Sequence, residues 1–218
     1  MTTPVHVLVF GRSPVAGRAK TRLIPALGAA AAARLYGLLL RHALATAMSA
    51  RLDAVELWVD GEPVAEEVHA IASDAGAAVR MQQGVDLGAR MHHALTTTLD
   101  TGALPLLMGS DVPPLTPAML RQGAAWLQGG KDVVVAPAED GGYGLIGVSR
   151  PLPELFEAMP WGGSQVWAET RARSERLGLN IGELATIWDV DLPEDLIRLD
   201  SVPALRDWLH EVGCELTQ

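Results

Sequence analysis

A glycine-rich loop with cationic side chains follows the first apolar run of the chain. Residues 5–10 read Val-His-Val-Leu-Val-Phe, and the loop after them offers glycines and cations at Gly11, Arg12, Gly17, Lys20 and Arg22. Glycine lets a backbone approach a ligand closely, and cations at the carboxyl end of a parallel strand bind phosphate oxygens. The loop therefore predicts a nucleotide phosphate site, with a solvated surface loop as the alternative.

A single carboxylate follows the apolar run of residues 104–108. Asp111 comes directly after Gly109 and Ser110 and before two prolines. A carboxylate at this edge of a sheet, facing the same crevice as the basic loop, can hold Mg²⁺ or Mn²⁺ against phosphate oxygens. We expect Asp111 and Lys20 to be catalytic and Asp111 to bind the metal. The alternative role for Asp111 is to order the turn into the prolines.

Two further aspartates lie near the C-terminal end. Asp189 and Asp191 are two residues apart, so in extended backbone both side chains point to the same side and can share a cation. Pro193 and Glu194 follow, a pattern that is also typical of a helix start capped by Asp191. Two interpretations therefore remain open: one of these aspartates is a second metal ligand, or Asp191 only caps the helix.

A glycine turn in the middle of the chain is a candidate acceptor site. The residues Asp140, Gly141, Gly142 and Tyr143 follow an apolar, β-branched run. The string Gly142-x-Gly144-x-x-Gly147 matches a dinucleotide fingerprint, but no helix start follows it, so this match is discarded. A second substrate can approach such a turn closely, with Asp140 accepting a hydrogen bond; a plain Asp-Gly turn is the alternative.

The charge of the chain is unevenly distributed. The net charge is −9 over 218 residues, yet residues 1–52 hold seven basic and no acidic side chains. Lys20 lies in this basic segment and is one of only two lysines, which favours a role as ligand. The overall acidity disfavours nucleic-acid binding.

Other features of the sequence point to a protein of the cytoplasm. No apolar run approaches the length of a membrane span, and no export signal precedes the first strand. The single cysteine, Cys214, has no partner for an internal disulfide, and we expect no role for it. The oligomeric state is left open.

Apolar runs of strand length alternate with helical patterns along the chain. Strands are predicted at 5–10, 54–60, 78–82, 104–108, 132–138, 143–148 and 184–188, and helices at 29–50, 62–75, 87–99, 116–128, 151–159, 164–177, after Pro193 and at 202–212. This alternation predicts an α/β fold, a Rossmann-like and mostly parallel sheet with helices on both faces. We expect one domain, with a nucleotide-binding half at 1–138 and an acceptor-side half at 139–218 that adds a small antiparallel element.

These motifs together resemble the glycosyltransferase type A-like family of bacterial proteins, within the nucleotide-diphospho-sugar transferase superfamily. The family is similar to phospholactate guanylyltransferase and, more distantly, to the molybdenum-cofactor guanylyltransferase. The resemblance rests on five blocks in order: Pro14 to Leu23, Asp86 to Met91, Gly109 to Pro113, Pro137 to Tyr143, and Asp189 to Leu196. It implies that the first loop binds a nucleotide, that Gly88 and Arg90 belong to the nucleotide site, and that Asp111 and one late aspartate bind Mg²⁺ or Mn²⁺.

The chain departs from the family pattern in the acceptor half. Gly144 replaces a second aromatic residue after Asp-Gly-Gly-Tyr, and Gly162-Gly163 separates Trp161 from Ser164.

The sequence leaves three hypotheses for the function of the chain. The first is metal-dependent nucleotidyl transfer from a nucleoside triphosphate to a small phosphorylated acceptor; the second is glycosyl transfer from a nucleotide-diphospho-sugar. The third, motivated by the two departures, is a non-catalytic nucleotide-binding module.

Overall fold

The computed structural model describes residues 2–61 and 64–208. Seven strands form one sheet: β1 (Val5–Arg12), β2 (Ala54–Asp60), β3 (Ala78–Met81), β4 (Leu104–Gly109), β5 (Val133–Pro137), β6 (Tyr143–Val148) and β7 (Ile181–Glu183). Their order across the sheet is β3-β2-β1-β4-β6-β5-β7. Strand β6 runs antiparallel to β4 and β5, and the other pairs are parallel. The predicted mostly parallel sheet with a small antiparallel element is confirmed.

Within the described residues, the following α-helices accompany the strands, besides helical residues at 203–208: α1 (Ile24–Leu27), α2 (Ala29–Ser49), α3 (Glu66–Ala75), α4 (Leu87–Leu99), α5 (Pro117–Gln128) and α6 (Val166–Arg176). Short 3₁₀ segments occupy Thr21–Leu23, Pro153–Leu155 and Pro193–Ser201. The starts of α4 and α5 follow from local sequence, because Asp86 and Thr116 each accept a hydrogen bond from a backbone N–H in the first turn. Among the described helices, none is both long and apolar enough to cross a bilayer.

The central strands bury both of their faces. Val7 and Val9 of β1 pack with Leu40 and Leu44 of α2, in a core that also includes residues of α3 and α5. Leu8, on the opposite face of β1, belongs to a second core with residues of α4. Alternate residues of a strand point to opposite faces, so a continuous apolar run such as residues 5–10 requires helices on both sides.

The described part of the second half differs from the predicted elements in three places. The last strand there is β7, not 184–188; Leu184 and Ile187 still follow β5 through backbone hydrogen bonds of 2.8 Å to Val135 and Pro137, with one isolated bridge and no regular ladder. The helix predicted at 151–159 is only the 3₁₀ turn Pro153–Leu155, and the helix predicted after Pro193 is the 3₁₀ segment Pro193–Ser201. Of the helix predicted at 202–212, residues 203–208 are helical, and the rest, like Cys214, lies outside the described residues.

One glycine of the turn between β5 and β6 is required by its surroundings. Gly141 has a φ of +88°, and a Cβ built there would lie 2.0 Å from the backbone oxygen of Ser164. Gly178 has a similar φ of +66° but nothing within 4 Å of such a Cβ. An alanine at either position must adopt a positive φ, but only an alanine at Gly141 also clashes with backbone. Comparing the two substitutions therefore separates the free-energy cost of the positive φ from that of the clash.

We expect Gly141→Ala to destabilise the protein by about 2–4 kcal/mol, since a positive φ and a clash with rigid backbone add together. Gly178→Ala should cost only about 1–2 kcal/mol, the price of the positive φ alone. Urea unfolding of the two variants measures both values. Equal losses of stability would contradict the tight packing of this turn against Ser164.

Candidate active site

A cleft of about 640 Å³ lies at the carboxyl ends of the central strands. The register places Arg12 of β1 beside Asp60 of β2, and Phe10 of β1 beside Gly109 of β4. Most of the predicted site residues line the cleft together: Gly11, Arg12, Lys20, Arg22, Arg90, Asp111, Asp140, Tyr143, Asp189 and Asp191. The chain therefore brings the basic loop, the strand-end acid and the late aspartates to one place.

Lys20 is the centre of the charged cluster. Its Nζ lies 2.6 Å from Oδ2 of Asp111 and 3.8 Å from Oδ1 of Asp191, and its side chain is only 6% exposed. Burial alone would lower the pKa of Lys20, but contact with Asp111 and the charges of Asp191 and Asp189 outweigh burial and raise it. The ammonium group is therefore held charged between two carboxylates that come from distant parts of the chain.

The structure separates the two proposed roles of Asp191. Its carboxylate contacts Lys20 and pairs with the guanidinium of Arg22. The cap is supplied by Asp195 instead, whose Oδ2 accepts from the backbone N–H groups of Asp191 (2.9 Å) and Leu192 (2.7 Å). The interpretation of Asp191 as a cap alone is thus wrong, because its side chain faces the cleft.

Asp189 lies in a more strongly acidic environment. Burial, followed by the negative charges of Asp111 and Asp140, raises the pKa of Asp189 to about 6, while Lys20 opposes this shift. A carboxyl group shifted in this way gains from a nearby cation. The segment is also tied to the strand-end acid through its backbone, since Val190 N–H donates to the Asp111 carbonyl at 3.0 Å.

Two arginines of the loop present unpaired charge to the cleft. Arg12 and Arg18 both line it, and within the described residues neither guanidinium has a carboxylate or carbonyl partner. Arg18 was not among the nucleotide-binding residues predicted from the sequence. Unpaired guanidinium groups suit the bidentate recognition of phosphate oxygens.

Tyr36 of α2 connects the loop to the strand-end acid. Its buried hydroxyl lies 2.8 Å from Oγ of Ser110 and accepts a hydrogen bond of 2.9 Å from the backbone N–H of Arg12. Gly11 makes room for it, because a Cβ at Gly11 would lie 3.2 Å from the tyrosine oxygen. Sequence reasoning missed Tyr36, since it lies inside a long helical pattern far from the motifs.

A second cluster of polar side chains lies at the carboxyl ends of β2 and β3. Arg90 of α4 forms an ion pair of 2.6 Å with Asp60, and the Gln82 amide donates to the carbonyls of Trp58 (2.9 Å) and Gly11 (3.1 Å). All three of these polar side chains line the cleft. Arg90 was among the predicted nucleotide contacts, whereas Asp60 and Gln82 were missed because each follows an apolar strand without a recognisable motif.

Some predicted contacts lie outside the cleft lining. Gly17 is exposed in the loop, and Gly88 is buried, where a Cβ would lie 2.6 Å from Nε1 of Trp161. Gly88 thus permits close packing of α4 against the segment around Trp161. In the turn after β5, Gly141 and Gly142 do not line the cleft, but Asp140 and Tyr143 do.

Tyr143 supplies an apolar wall rather than a charge. Burial raises the pKa of its hydroxyl well above the usual value, and its ring lies edge-on to Trp161 with centroids 6.4 Å apart. Asp140 is fixed by its own turn, since its Oδ1 accepts from Gly142 N–H at 2.8 Å. The turn therefore presents a carboxylate and an aromatic ring side by side.

The carboxylates of the cleft are compatible with a shared divalent cation. Asp111 and Asp191 already direct oxygens at one cationic atom, the Lys20 ammonium nitrogen. Among residues 2–61 and 64–208, no group of three or more histidine, cysteine or acidic side chains is arranged as a complete metal cage. Mg²⁺ is commonly bound through one or two carboxylates together with substrate phosphates, so a pair of aspartates fits this chemistry.

Comparison with solved structures identifies the fold. A protein from Desulfovibrio desulfuricans G20, described as a candidate nucleotide-diphospho-sugar transferase, aligns with a TM-score of 0.87 and 28% identity over 98% of this chain and 97% of that one. Rv0371c from Mycobacterium tuberculosis H37Rv aligns with a TM-score of 0.58 and 25% identity over 91% and 98% of the two chains. Rv0371c has also been solved in complex with manganese.

A more distant likeness extends to 4-diphosphocytidyl-2C-methyl-D-erythritol synthase, with a TM-score of 0.61 and 12% identity over 93% of this chain and 99% of that chain. At this identity only the fold is shared. The chain therefore has the nucleotide-diphospho-sugar transferase fold, which confirms the superfamily that its motifs resemble.

Sequence comparison then places the chain in a family. Residues 43–163 match the model of the family described as "Uncharacterized protein conserved in bacteria (DUF2064)", and the chain belongs to this family. No curated protein matches the sequence.

Proposed function

We propose that this protein is a transferase that uses a nucleotide donor and a divalent cation. The observation that carries the proposal is the charge arrangement of the cleft: Arg12 and Arg18 are unpaired, and Lys20 lies between the carboxylates of Asp111 and Asp191. Cations for phosphate oxygens and carboxylates for a metal then occupy one site. The proposed nucleotide-binding half is residues 1–138 and the acceptor-side half residues 139–218.

The residues of the loop would bind and orient the donor phosphates. Arg12 and Arg18, whose guanidinium groups line the cleft without a carboxylate partner among the described residues, would bind phosphate oxygens, and Lys20 would contact an oxygen beside Asp111. Phosphate transfer needs little covalent help, so positioning and charge neutralisation supply most of the catalysis. Tyr36 would fix the position of the loop relative to Asp111, because its hydroxyl contacts both the backbone N–H of Arg12 and the side chain of Ser110, the residue before Asp111.

Asp111 and Asp191 are the residues that would hold Mg²⁺ or Mn²⁺, with Asp189 as the alternative second ligand. When bound, the cation would neutralise negative charge on the donor and its leaving group. The manganese complex of Rv0371c supports a divalent cation in this fold. Burial first, and then the negative charges of Asp111 and Asp140, raise the pKa of Asp189. A divalent cation beside these carboxylates would offset the charge part of this effect.

The number of cations favours nucleotidyl transfer over glycosyl transfer. Four basic side chains of one loop line the cleft: Arg12, Arg18, Lys20 and Arg22. A triphosphate uses more cationic contacts than the diphosphate of a nucleotide sugar, especially when a metal ion also binds. In nucleotidyl transfer, the acceptor oxygen attacks the α-phosphorus and pyrophosphate leaves. The motif resemblance to phospholactate guanylyltransferase makes GTP the first donor to try.

Glycosyl transfer is the second candidate. It is favoured by the 28% identity and full-length likeness to the D. desulfuricans protein, which is described in terms of nucleotide-diphospho-sugars. In that reaction a nucleoside diphosphate leaves from the anomeric carbon of a sugar. The two candidates therefore differ in the phosphate product that they release.

Binding and product analysis test the proposal in two stages. We expect GTP or another nucleoside triphosphate to raise the melting temperature in the presence of Mg²⁺ or Mn²⁺, and a mixture of small acceptors to release pyrophosphate. Release of a nucleoside diphosphate from a nucleotide sugar would instead establish glycosyl transfer. Binding without donor consumption across a broad panel of acceptors would support a non-catalytic nucleotide-binding module, and no binding of any nucleotide would refute the proposal.

A further inference from the structure

The arginines of the acceptor-side half are all engaged by other groups of the protein. Within the described residues after 138, each one has a carboxylate partner within 4 Å: Arg150 with Asp132, Arg171 with Glu175, Arg173 and Arg176 with Glu169, Arg198 with Glu139, and Arg206 with Asp200. Arg198, for example, makes two hydrogen bonds of 2.8 Å to Glu139 and stacks on Trp188 at 4.4 Å. None of these six arginines is among the described residues that line the cleft.

The cleft wall built by this half is acidic and apolar. Among the described residues after 138, those that line the cleft are Asp140, Tyr143, Gly144, Leu145, Ile146, Gly162, Asp189 and Asp191, and they include no lysine, arginine or histidine. All basic residues in the described part of the lining come from the first 90 residues. Since Asp189 and Asp191 lie beside the proposed metal site, Asp140 is the carboxylate that this wall offers to an acceptor, and no described cation of the same half accompanies it.

From this asymmetry we infer that the acceptor is an uncharged polyhydroxy compound, a sugar or polyol that reacts through a hydroxyl group, and not a phosphorylated molecule. The inference rests on the proposed function, because it assigns the cations of the loop to the donor. It departs from the phosphorylated acceptor that the sequence alone suggested.

The carboxylates can bind such an acceptor directly. Oδ1 of Asp140 is held by Gly142 N–H, while its other oxygen has no partner among the described residues. An ionised carboxylate only accepts hydrogen bonds, so it suits a hydroxyl and repels a phosphate dianion.

The reaction balances for a hydroxyl acceptor with either donor. The hydroxyl oxygen forms a bond to the α-phosphorus or to the anomeric carbon, and the bond from that atom to the leaving phosphate oxygen breaks. The bonding electrons leave with pyrophosphate or with the nucleoside diphosphate, and the hydroxyl proton passes to solvent. An acceptor without phosphate is therefore compatible with both candidate functions.

Methyl phosphate is a minimal probe for a phosphate subsite on the acceptor side. The protein is first saturated with Mg²⁺ and an α,β-methylene analogue of the triphosphate that binds it, so that the donor cations are occupied and no transfer occurs. Calorimetric titration of methyl phosphate into this complex should then show no saturable binding up to about 10 mM. Saturable binding to the wild-type complex would overturn the inference.

A charge reversal at Asp140 supplies the positive test. Asp140→Lys should create a weak site for methyl phosphate, with a dissociation constant of about 1 mM, whereas the matched control Asp100→Lys on the exposed end of α4 should not. Asp140→Asn, which keeps an oxygen for Gly142 N–H, verifies that the turn tolerates the loss of charge and should still bind the nucleotide analogue. If a folded Asp140→Lys protein gained no binding, Asp140 would not belong to the acceptor site.

The two proposals fail in different ways. If neither the analogue nor any other nucleotide or nucleotide sugar binds in the presence of Mg²⁺ or Mn²⁺, the proposed function is refuted before the probe is added. If the analogue binds and methyl phosphate also binds to the wild-type complex, the donor site stands and only the uncharged acceptor is refuted.

Discussion

Replacing Lys20 with methionine is expected to weaken binding of a nucleoside triphosphate at least tenfold and, at the same time, to strengthen binding of Mn²⁺ in the absence of nucleotide. Loss of a charge-assisted phosphate contact costs about 1.5–3 kcal/mol, which corresponds to about tenfold or more in the dissociation constant. Methionine keeps the length and apolar character of a side chain that is only 6% exposed, so the variant should fold.

The opposite effect on the metal follows from the position of the ammonium group. Lys20 Nζ lies 2.6 Å from Asp111 and 3.8 Å from Asp191, the carboxylates assigned to the metal. A cation that binds to those oxygens must therefore compete with Lys20 until a phosphate offers the lysine another partner. Without the ammonium group, Asp111 loses its nearest counter-charge and Asp191 retains only that of Arg22, so the two carboxylates should attract Mn²⁺ more strongly.

Lys131 is the matched control, since it is the other lysine of the chain. Its Nζ donates to the Asn180 side chain at 2.7 Å and to the Ile181 carbonyl at 2.9 Å, away from the cleft. Calorimetry with nucleotide, and separately with Mn²⁺, should give wild-type affinities for folded Lys131→Met. If Lys20→Met behaved like Lys131→Met in both titrations, Lys20 would bind neither phosphate nor the metal carboxylates.

The parts of the fold that could be predicted from the sequence are those with a simple apolar pattern. The strand 54–60 and the helix 87–99 were predicted with the bounds that β2 and α4 have, because each contrasts clearly with the turn residues around it. The last strand was misplaced because residues 184–188 are apolar for a different reason. Leu184 and Ile187 are buried in the core beside β5 without belonging to a ladder.

The sequence likewise predicts only some of the residues of the candidate site. Lys20 and Asp111 could be proposed from sequence, because parallel strands end at one edge of a sheet and their following residues share that edge. Tyr36, Asp60 and Gln82 could not, since their places in the cleft depend on how α2, β2 and β3 pack against β1. The sequence also left open whether Asp191 binds metal or only caps the next segment, because Asp191 and Asp195 have the same chemistry and only the three-dimensional contacts distinguish them.

Asp111→Asn is expected to abolish most Mg²⁺-dependent nucleotide binding while leaving the protein folded. Asparagine keeps the shape of aspartate and an oxygen for the Lys20 ammonium group, but it removes the negative charge that a divalent cation requires. The Asp111 side chain is 32% exposed, so the substitution does not disturb a closed core. Titrating Mg²⁺ at a fixed nucleotide concentration should show a large loss of apparent metal affinity.

Comparison with the other aspartates makes this result specific. Asp74→Asn is the control, because Asp74 is exposed and pairs with Arg41 at 3.2 Å, and neither residue is among those that line the cleft; its Mg²⁺ curve should match that of the wild type. A wild-type curve for Asp111→Asn would refute the metal assignment.

Asp191→Asn should weaken the metal response in the same direction as Asp111→Asn, without loss of thermal stability, since Asp195 and not Asp191 caps the following 3₁₀ segment. A change confined to stability would mean that Asp191 serves the fold through Arg22 rather than the metal. A wild-type Mg²⁺ curve for Asp191→Asn, together with a weakened curve for Asp189→Asn, would transfer the second ligand role to Asp189, which lines the same cleft.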